Sequence, residues 1–395
     1  MRRIPEFRGF SAVLAASLVL AACGQDPQEA ASAKSGDGAV QVVRLGHVAP
    51  LTGPQAHLGK DNENGARLAI DELNAKGVMV DGKPVKFELL GEDDHADPRA
   101  ATIVAQKLVD ANVVGVLGHL NSGATIPASK IYHEAEIPQI SPSATAIAYT
   151  TQGFKTAYRV MTNDAQQGRV LGDYAVKKLS GQRVAIIDDR TAYGQGLADE
   201  VEKAIKAAGG DVVAREFTTD KATDFTAILT GIKGKSPDVI FFGGMDPQAG
   251  PMVSQMKRLG ITAQYLAGDG AQTAEFLKLA GPDAEGVIAS NPGVPVKDMP
   301  GGPEFLAKFE ARFGRIQNYA PYVYDAAYVM VDAIQRAGST ESAKILSELA
   351  KTDFRGVTGR IQFDGKGDLT GGNVTLYQVR GGEWQVLETV ASGGD

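Results

Sequence analysis

The strongest constraint on this chain is a rhythm, in which short continuous apolar runs alternate with longer stretches of helical periodicity, twice over. In the first pass, residues 40–48 are a β-branched run, and residues 65–76 set Ala66, Ala69, Ile70 and Leu73 on one helical face before stopping at Gly77. Residues 85–90 form the next run, introduced by the turn Asp81-Gly82-Lys83-Pro84. Asp97 is placed to cap a helix whose first position is Pro98, where a missing N–H costs nothing. Residues 113–117 are a further apolar strand, and a helix is predicted over 122–136. Past residue 160 the pattern resumes, with strands at 183–187, 212–217 and 239–242 and helices at 196–208 and 225–233. Strands that are apolar throughout, rather than alternately, must be covered on both faces, so each half is expected to be a doubly wound α/β unit on a parallel sheet. Later helices at 303–313 and 322–337 and strands at 360–363 and 374–379, with the turn-rich segment 364–368 between the strands, can add to either half.

The first residues do not belong to that pattern. Arg2, Arg3 and Arg8 precede an apolar stretch over 10–20, which leads to Leu20-Ala21-Ala22-Cys23-Gly24. This is the order of an export signal, and a run of about a dozen apolar residues is short of the ~20 that span a bilayer. Cys23, the only cysteine in 395 residues, stands where a lipobox would present a thiol for lipid attachment; the plainer reading is an ordinary secretory signal with a stray cysteine. A single cysteine excludes an internal disulfide and a cysteine-based zinc site. Residues 24–39 are polar and aperiodic and read as a flexible tether. Removing residues 1–22 takes Arg2, Arg3, Arg8 and Glu6 from 40 basic and 47 acidic residues, leaving 37 and 46 and a net charge of −9. That balance argues against nucleic acid or an anionic membrane surface as partner. The remaining chain is long for one hydrophobic core, so two domains are expected.

In doubly wound sheets, ligands bind beyond the carboxyl ends of the strands, where helix N-termini offer unpaired N–H groups. The strand over 113–117 runs into Gly118-His119-Leu120-Asn121-Ser122-Gly123, where Ser122 could hold a carboxylate or serve as a plain helix cap. The next strand, 139–141, leads to Pro142-Ser143-Ala144-Thr145, a second hydroxyl-bearing loop on the same sheet edge. In the second half, the loops carrying Tyr193, Met245 and Asp269 each follow a strand, and an acid at Asp269 would complement an ammonium. The two halves therefore offer opposite poles for a zwitterion. Catalytic motifs are missing by contrast. His47, His57, His95, His119 and His133 form no HExxH pair, no Walker motif occurs, no GxGxxG follows the first strand, and Asn121-Ser122-Gly123 lacks the first glycine of a nucleophile elbow. Asp93, Asp94, His95 and Asp97 could suggest a metal, but neighbouring strand residues point to opposite faces and Asp97 already serves as a cap.

Taken in order, Thr52-Gly53-Pro54, Glu92-Asp93-Asp94, Gly118-His119, Ser141-Pro142-Ser143-Ala144-Thr145, Tyr193-Gly194-Gln195-Gly196, Gly243-Gly244 and Gly268-Asp269-Gly270 resemble the branched-chain amino acid (Leu/Ile/Val) binding proteins of ABC transporters, over nearly all of residues 40–390. The resemblance implies a type I periplasmic binding protein, with two doubly wound parallel-sheet lobes joined by a three-stranded hinge. Lobe 1 would comprise residues 40–163 plus 295–372, and lobe 2 residues 164–294 plus 373–395, after a signal peptide over 1–22 and a tether over 23–39. It also implies the ligand-binding residues. The carboxylate would be held at Ser122 and Thr145, and the ammonium by Asp269, the Thr145 hydroxyl and the Ser143 carbonyl. Ala144 lies in the same loop, Tyr193 would pack over the ligand, and Leu58, Met245 and Tyr319 would shape the pocket. Leu58 and Met245 stand where relatives often carry aromatics, Asp269 replaces a longer Glu, and Ala96 and Asn121 replace a cysteine pair. These departures alter the pocket's shape without removing its poles.

The function expected is that of an extracytoplasmic solute-binding component, lipid-anchored through Cys23 and monomeric. It would deliver a small amino acid to an ABC permease in the inner membrane, with no catalytic residue, metal or cofactor. A binder of an amide, urea or aromatic acid on the same fold and a ligand sensor for a receptor are the alternatives. A two-domain oxidoreductase is disfavoured by the export signal and the missing dinucleotide fingerprint.

Overall fold

A computed structural model of the chain describes residues 40–391. The expected signal peptide, Cys23 and the tether lie outside the described residues. The first half is built from β1 (Gln41–Ala49), α1 (Ala56–Lys76), β2 (Val78–Val80), β3 (Lys83–Asp93), α2 (Pro98–Asp110), β4 (Gly115–Gly118), α3 (Ser122–Glu134), β5 (Gln139–Ser141) and β6 (Ala157–Arg159). Its sheet runs β2-β3-β1-β4-β5-β6, parallel except for the β2–β3 pair. That pair is a hairpin turned by Asp81 and Gly82, both at positive φ (50° and 71°), the conformation an Asp-Gly turn favours.

The chain then enters α4 (Asp164–Lys177), β7 (Arg183–Asp188), α5 (Ala192–Ala207), β8 (Asp211–Phe217), α6 (Thr226–Lys233), β9 (Val239–Gly243), α7 (Asp246–Arg258), β10 (Gln264–Ala267), α8 (Ala274–Ala280) and β11 (Ile288–Pro292). It returns through α9 (Gly302–Phe313), α10 (Ala320–Ala337), α11 (Ser342–Leu349) and the hairpin of β12 (Asp353–Arg355) and β13 (Arg360–Gln362). It ends on β14 (Asn373–Arg380) and β15 (Glu383–Ala391). The second sheet runs β15-β14-β11-β10-β9-β7-β8, parallel from β8 to β11 and antiparallel beyond. α10 packs on α1, β2, β4 and β5, whereas α4 packs on α5, β11 and β14. The chain therefore passes between the two halves three times, after β6, β11 and β13. This is the expected pair of doubly wound units, with antiparallel strands added at the margins.

Three helices that the sequence reading shortened or missed, α1, α4 and α7, share a cause. α1 begins at Ala56, not near residue 65, because its first turns carry Asp61 and Asn62, which are buried and hydrogen-bonded rather than apolar. α4 buries Asp164, Gln167, Gly168 and Gly172. A Cβ on either glycine would come within 2.5 Å of α5, so the two helices approach through bare backbone rather than through an apolar stripe. α7 hides its pattern in the same way, burying Gln248 and Gln255, whose amides donate to the carbonyls of Asp220 and Thr223. Asp97 does cap α2, accepting from the backbone of Arg99 and Ala100, with Pro98 at the first helical position.

Candidate functional site

At the carboxyl edge of the first sheet, α3 starts at Ser122 with Asn121 as its cap residue. Asn121 does not cap: its amide turns away to donate to Gln55 Oε1 at 2.8 Å, so the first N–H groups of the helix have no side-chain acceptor and the positive end of its dipole is uncovered. Ser122 Oγ accepts from the Ala146 N–H at 3.2 Å, which leaves the hydroxyl proton free to donate to an anion. The neighbouring loop is held from below. Ser141 Oγ accepts from the Ala144 N–H at 2.9 Å and donates to the His119 carbonyl at 2.9 Å, while Ser143 Oγ donates to the Leu120 carbonyl at 3.0 Å.

From the second sheet comes Asp269, just past β10 and almost wholly buried. Its Oδ1 accepts from Gln167 Nε2 and from the Tyr193 hydroxyl, both at 2.9 Å, and its Oδ2 accepts from the Tyr319 hydroxyl at 2.7 Å. Burial raises the Asp269 carboxyl above the usual carboxylate range, and the Tyr319, Gln167 and Tyr193 donors pull it part of the way back. Tyr193 OH also accepts from the Gly270 N–H at 3.0 Å, so the ring is fixed by its hydroxyl as well as by packing. Tyr319 stands at the start of α10, where the Asp61 carboxylate on α1 accepts the N–H groups of Gln317, Asn318, Tyr319 and Ala320 at 2.8–3.1 Å.

Ser122 and Ser143 from the first half, Tyr193, Met245 and Asp269 from the second, and Tyr319 line one small cavity with Leu120 and Asn121, leaving about 10 Å³ for the centre of a water-sized sphere. Six of the nine residues read from the sequence therefore meet. Ala144 and Thr145 lie beside the cavity, in the loop that carries Ser143. Leu58, two residues into α1, is fully buried in the hydrophobic core and does not line the cavity.

Two groups escaped the sequence reading. Asp164, at the first position of α4, is fully buried, and neither of its carboxylate oxygens has a hydrogen-bond partner. The Thr145 hydroxyl, also without a partner, comes near enough to ease its charge but is not aimed as a hydrogen bond. Burial, reinforced by the charge of Asp269, pushes the Asp164 carboxyl up to about 8 against the smaller lowering by Thr145 and Arg159. The capping box of Asn163 and Gln166 marks this helix start in the sequence, but nothing local shows that the acid beside it is buried. The second group is His57 on α1, whose Nε2 reaches Asp246 Oδ2, at the start of α7 in the other half, at 2.7 Å.

Asp94 pairs with His119 at 2.8 Å, Asp93 accepts from Thr52 at 2.6 Å, and among the described residues no cluster of His, Cys, Asp and Glu is set to hold an ion.

A family model described as periplasmic binding protein matches residues 42–383. The chain belongs to that family. An amino acid binding protein of Pseudomonas aeruginosa is 35% identical over 339 residues, covering 85% of this chain and 90% of the relative. A Leu/Ile/Val-binding protein homologue of Brucella suis is 36% identical, covering 82% and 87%. Among solved structures, a leucine binding protein of Thermotoga maritima superposes with a TM-score of 0.82 at 28% identity, covering 88% of this chain and 98% of that one. A branched-chain amino acid transporter substrate binding protein of Streptococcus pneumoniae, in complex with isoleucine, superposes with a TM-score of 0.81 at 29% identity, covering 89% and 100%. The fold is thus that of the type I periplasmic binding proteins. Within that frame the binding protein's small cavity lies at the seam between its two halves, beyond the carboxyl ends of the strands of both sheets.

Proposed function

We propose that this periplasmic binding protein holds a small α-amino acid between its halves and hands it to an ABC permease. The observation that carries the reading is the pairing of opposite poles across one cavity. The uncapped start of α3 and the Ser122 hydroxyl face an anion, and the buried Asp269 faces a cation. Asp269 accepts three hydrogen bonds, which leaves a carboxylate room for one more donor. Asp164, buried and within range of the Asp269 charge, adds a second acid near this pole. The Asp269 charge raises the proton affinity of Asp164, and an ammonium beside Asp269 would offset that charge.

Both halves contribute to the lining of the cavity, so the ligand docks on the open first half and the three crossovers act as the hinge on which the second half closes around it. Branched-chain ligands are the leading choice because the relatives' names specify them and because Leu120, Met245 and Tyr319 supply apolar walls. The family's periplasmic setting and the lipobox pattern support export and anchoring through Cys23. Binding rather than catalysis is the reading that the family and the relatives named above support, since they are described as binding proteins.

A thermal-shift screen against amino acids, amides and small carboxylates tests the reading, because ligand at ~100 times its Kd adds ~2.7 kcal/mol to stability. Leucine, isoleucine or valine should raise the melting temperature. A response confined to an aromatic acid or an amide would overturn the amino acid. By calorimetry, Asp269→Ala and Asp269→Asn should each lose more than ~10-fold in affinity for α-amino acids, since a charge-assisted hydrogen bond is worth ~1.5–3 kcal/mol; unchanged affinity rejects the ammonium assignment. Labelling with radioactive palmitate, abolished by Cys23→Ser, would report the anchor.

A further inference from the structure

Arg159, the last residue of β6, has one of the largest fully buried side chains among the described residues, and all three of its guanidinium nitrogens donate within one neighbourhood. Nη1 donates to the Ala144 carbonyl at 2.6 Å, and Nη2 donates to the Ala146 carbonyl at 3.0 Å and to Thr150 Oγ1 at 2.8 Å. Those two carbonyls flank Thr145. Nε pairs with Asp368, which belongs to the turn leading from β13 into β14, the third crossover. Asp368 also accepts from Thr150 Oγ1 at 2.9 Å and from Asn163 Nδ2 at 3.4 Å, and Asn163 caps α4 immediately before Asp164. The turn is pressed against β6. The Arg159 N–H donates to the Gly367 carbonyl at 2.9 Å, and at Gly367 (φ +92°) any Cβ would stand 2.0 Å from the Ala157 carbonyl.

A guanidinium is suited to this position because its planar fork holds two carbonyls and a carboxylate in fixed directions, which a point charge on a flexible stem does not. We propose that Arg159 is a positioning residue for ligand binding. It fixes the Ala144–Ala146 loop from behind and, through Asp368, locks that loop to the first and third crossovers, so that the ligand-facing loop and the hinge hold one geometry. Nothing in the arrangement brings Arg159 to the ligand itself; it acts through Thr145 and the backbone around it. The inference rests on the amino acid site proposed above.

The test compares Arg159→Lys with Leu349→Ala, a cavity-forming change in the buried face of α11 that destabilises the same half without touching the loop. Lysine keeps the charge beside Asp368 and loses the fork. Titration calorimetry with L-leucine, L-valine and L-alanine is run well below each variant's melting temperature. Arg159→Lys is expected to weaken every ligand that the wild type binds by tenfold or more and by a similar factor, since the loop holds the α-carbon groups and not the side chain. Leu349→Ala is expected to stay within twofold of wild type. Wild-type affinity in Arg159→Lys, or an equal loss in Leu349→Ala, reduces Arg159 to a structural role and overturns the proposal. A wild-type protein that binds none of the three, nor any other amino acid, overturns the site reading and this proposal with it. The two failures are distinguished by the wild-type titration alone.

Discussion

Asp164 and Asp269 are both buried acids at the seam, but their surroundings differ. Three side-chain donors surround Asp269, whereas Asp164 has none and titrates near 8. At pH 7 Asp164 therefore keeps its proton in the folded, ligand-free protein, and docking an ammonium beside it favours the ionised form. Calorimetry of amino acid binding in buffers of different ionisation enthalpy should show the wild type releasing up to one proton more at pH 7 than Asp164→Asn, over the uptake at His57 that the two proteins share; equal proton exchange in the two proteins refutes the assignment. The same shift acts on stability. The unfolded chain gives up this proton near pH 4 and the folded chain only near pH 8, so the contribution is fully present below about pH 4 and is lost as pH rises towards 8. Denaturant titrations at pH 5 and pH 8 should therefore show the Asn variant gaining on the wild type at the higher pH. Ser122, Tyr193 and Asp269 were legible from the sequence because they sit just past apolar strands. Asp164, His57 and Arg159 were not, because a charged residue at a helix start or strand end looks solvated until its partners from distant segments are known.

Among the elements, α10 depends most on a single side chain from elsewhere. The Asp61 carboxylate on α1 accepts four backbone N–H groups at the N-terminal end of α10, and that end carries Tyr319 to Asp269. Burial raises the Asp61 carboxyl, and the four backbone donors oppose the rise, so its role is to cap a helix in trans rather than to pair with a cation. Asp61→Ala leaves several buried donors unsatisfied at ~1–3 kcal/mol each. It should cost at least ~3 kcal/mol in urea unfolding and should weaken amino acid binding through a displaced Tyr319; a loss under 1 kcal/mol would show that other groups hold the helix start. This contact also explains where sequence reading of the fold stopped. The central strands of the two sheets survived as continuous apolar runs, since parallel sheets covered on both faces leave little choice of residue. α1, α4 and α7 were blurred or missed because their buried faces carry Asp61, Asn62, Gln167, Gln248 and the glycines of α4, which are satisfied by hydrogen bonds or by close backbone approach. Periodicity counts apolar side chains and does not register burial of that kind.

For the whole molecule, the closed form is secured by a contact far along the chain from the Asp164 and Arg159 groups. His57 of the first half meets Asp246 of the second, and Asp246 Oδ2 also accepts from Thr273 Oγ1 at 2.6 Å while its other oxygen has no partner. The groups facing the imidazole are the Asp246 carboxylate, the Glu275 charge from α8 and the Pro54 carbonyl. Burial lowers the His57 pKa, but the hydrogen bond to Asp246, its charge and that of Glu275 together outweigh it, so the net shift is upward. Opening the halves removes Asp246 from His57 and returns the ring to its ordinary titration near 6.5. Closure then takes up a proton, and the latch acts in full below that ordinary pKa and is lost as pH rises through the closed-form value. Because the ring keeps some contact with solvent, the contribution is modest, about 1 kcal/mol or a fivefold effect on affinity. His57→Gln should therefore weaken amino acid binding about fivefold at pH 6 and little at pH 8.5. The ratio of variant to wild type is the quantity to follow, since the Asp164 proton affects both proteins alike and cancels. X-ray scattering at pH 6 with saturating ligand should find the variant no less compact than the wild type, because the ligand's own contacts draw the halves together. At sub-saturating ligand the variant should be the more open of the two. A ratio that stays constant from pH 6 to 8.5 would mean that the His57–Asp246 contact is broken, or carries no charge, when the halves close in solution.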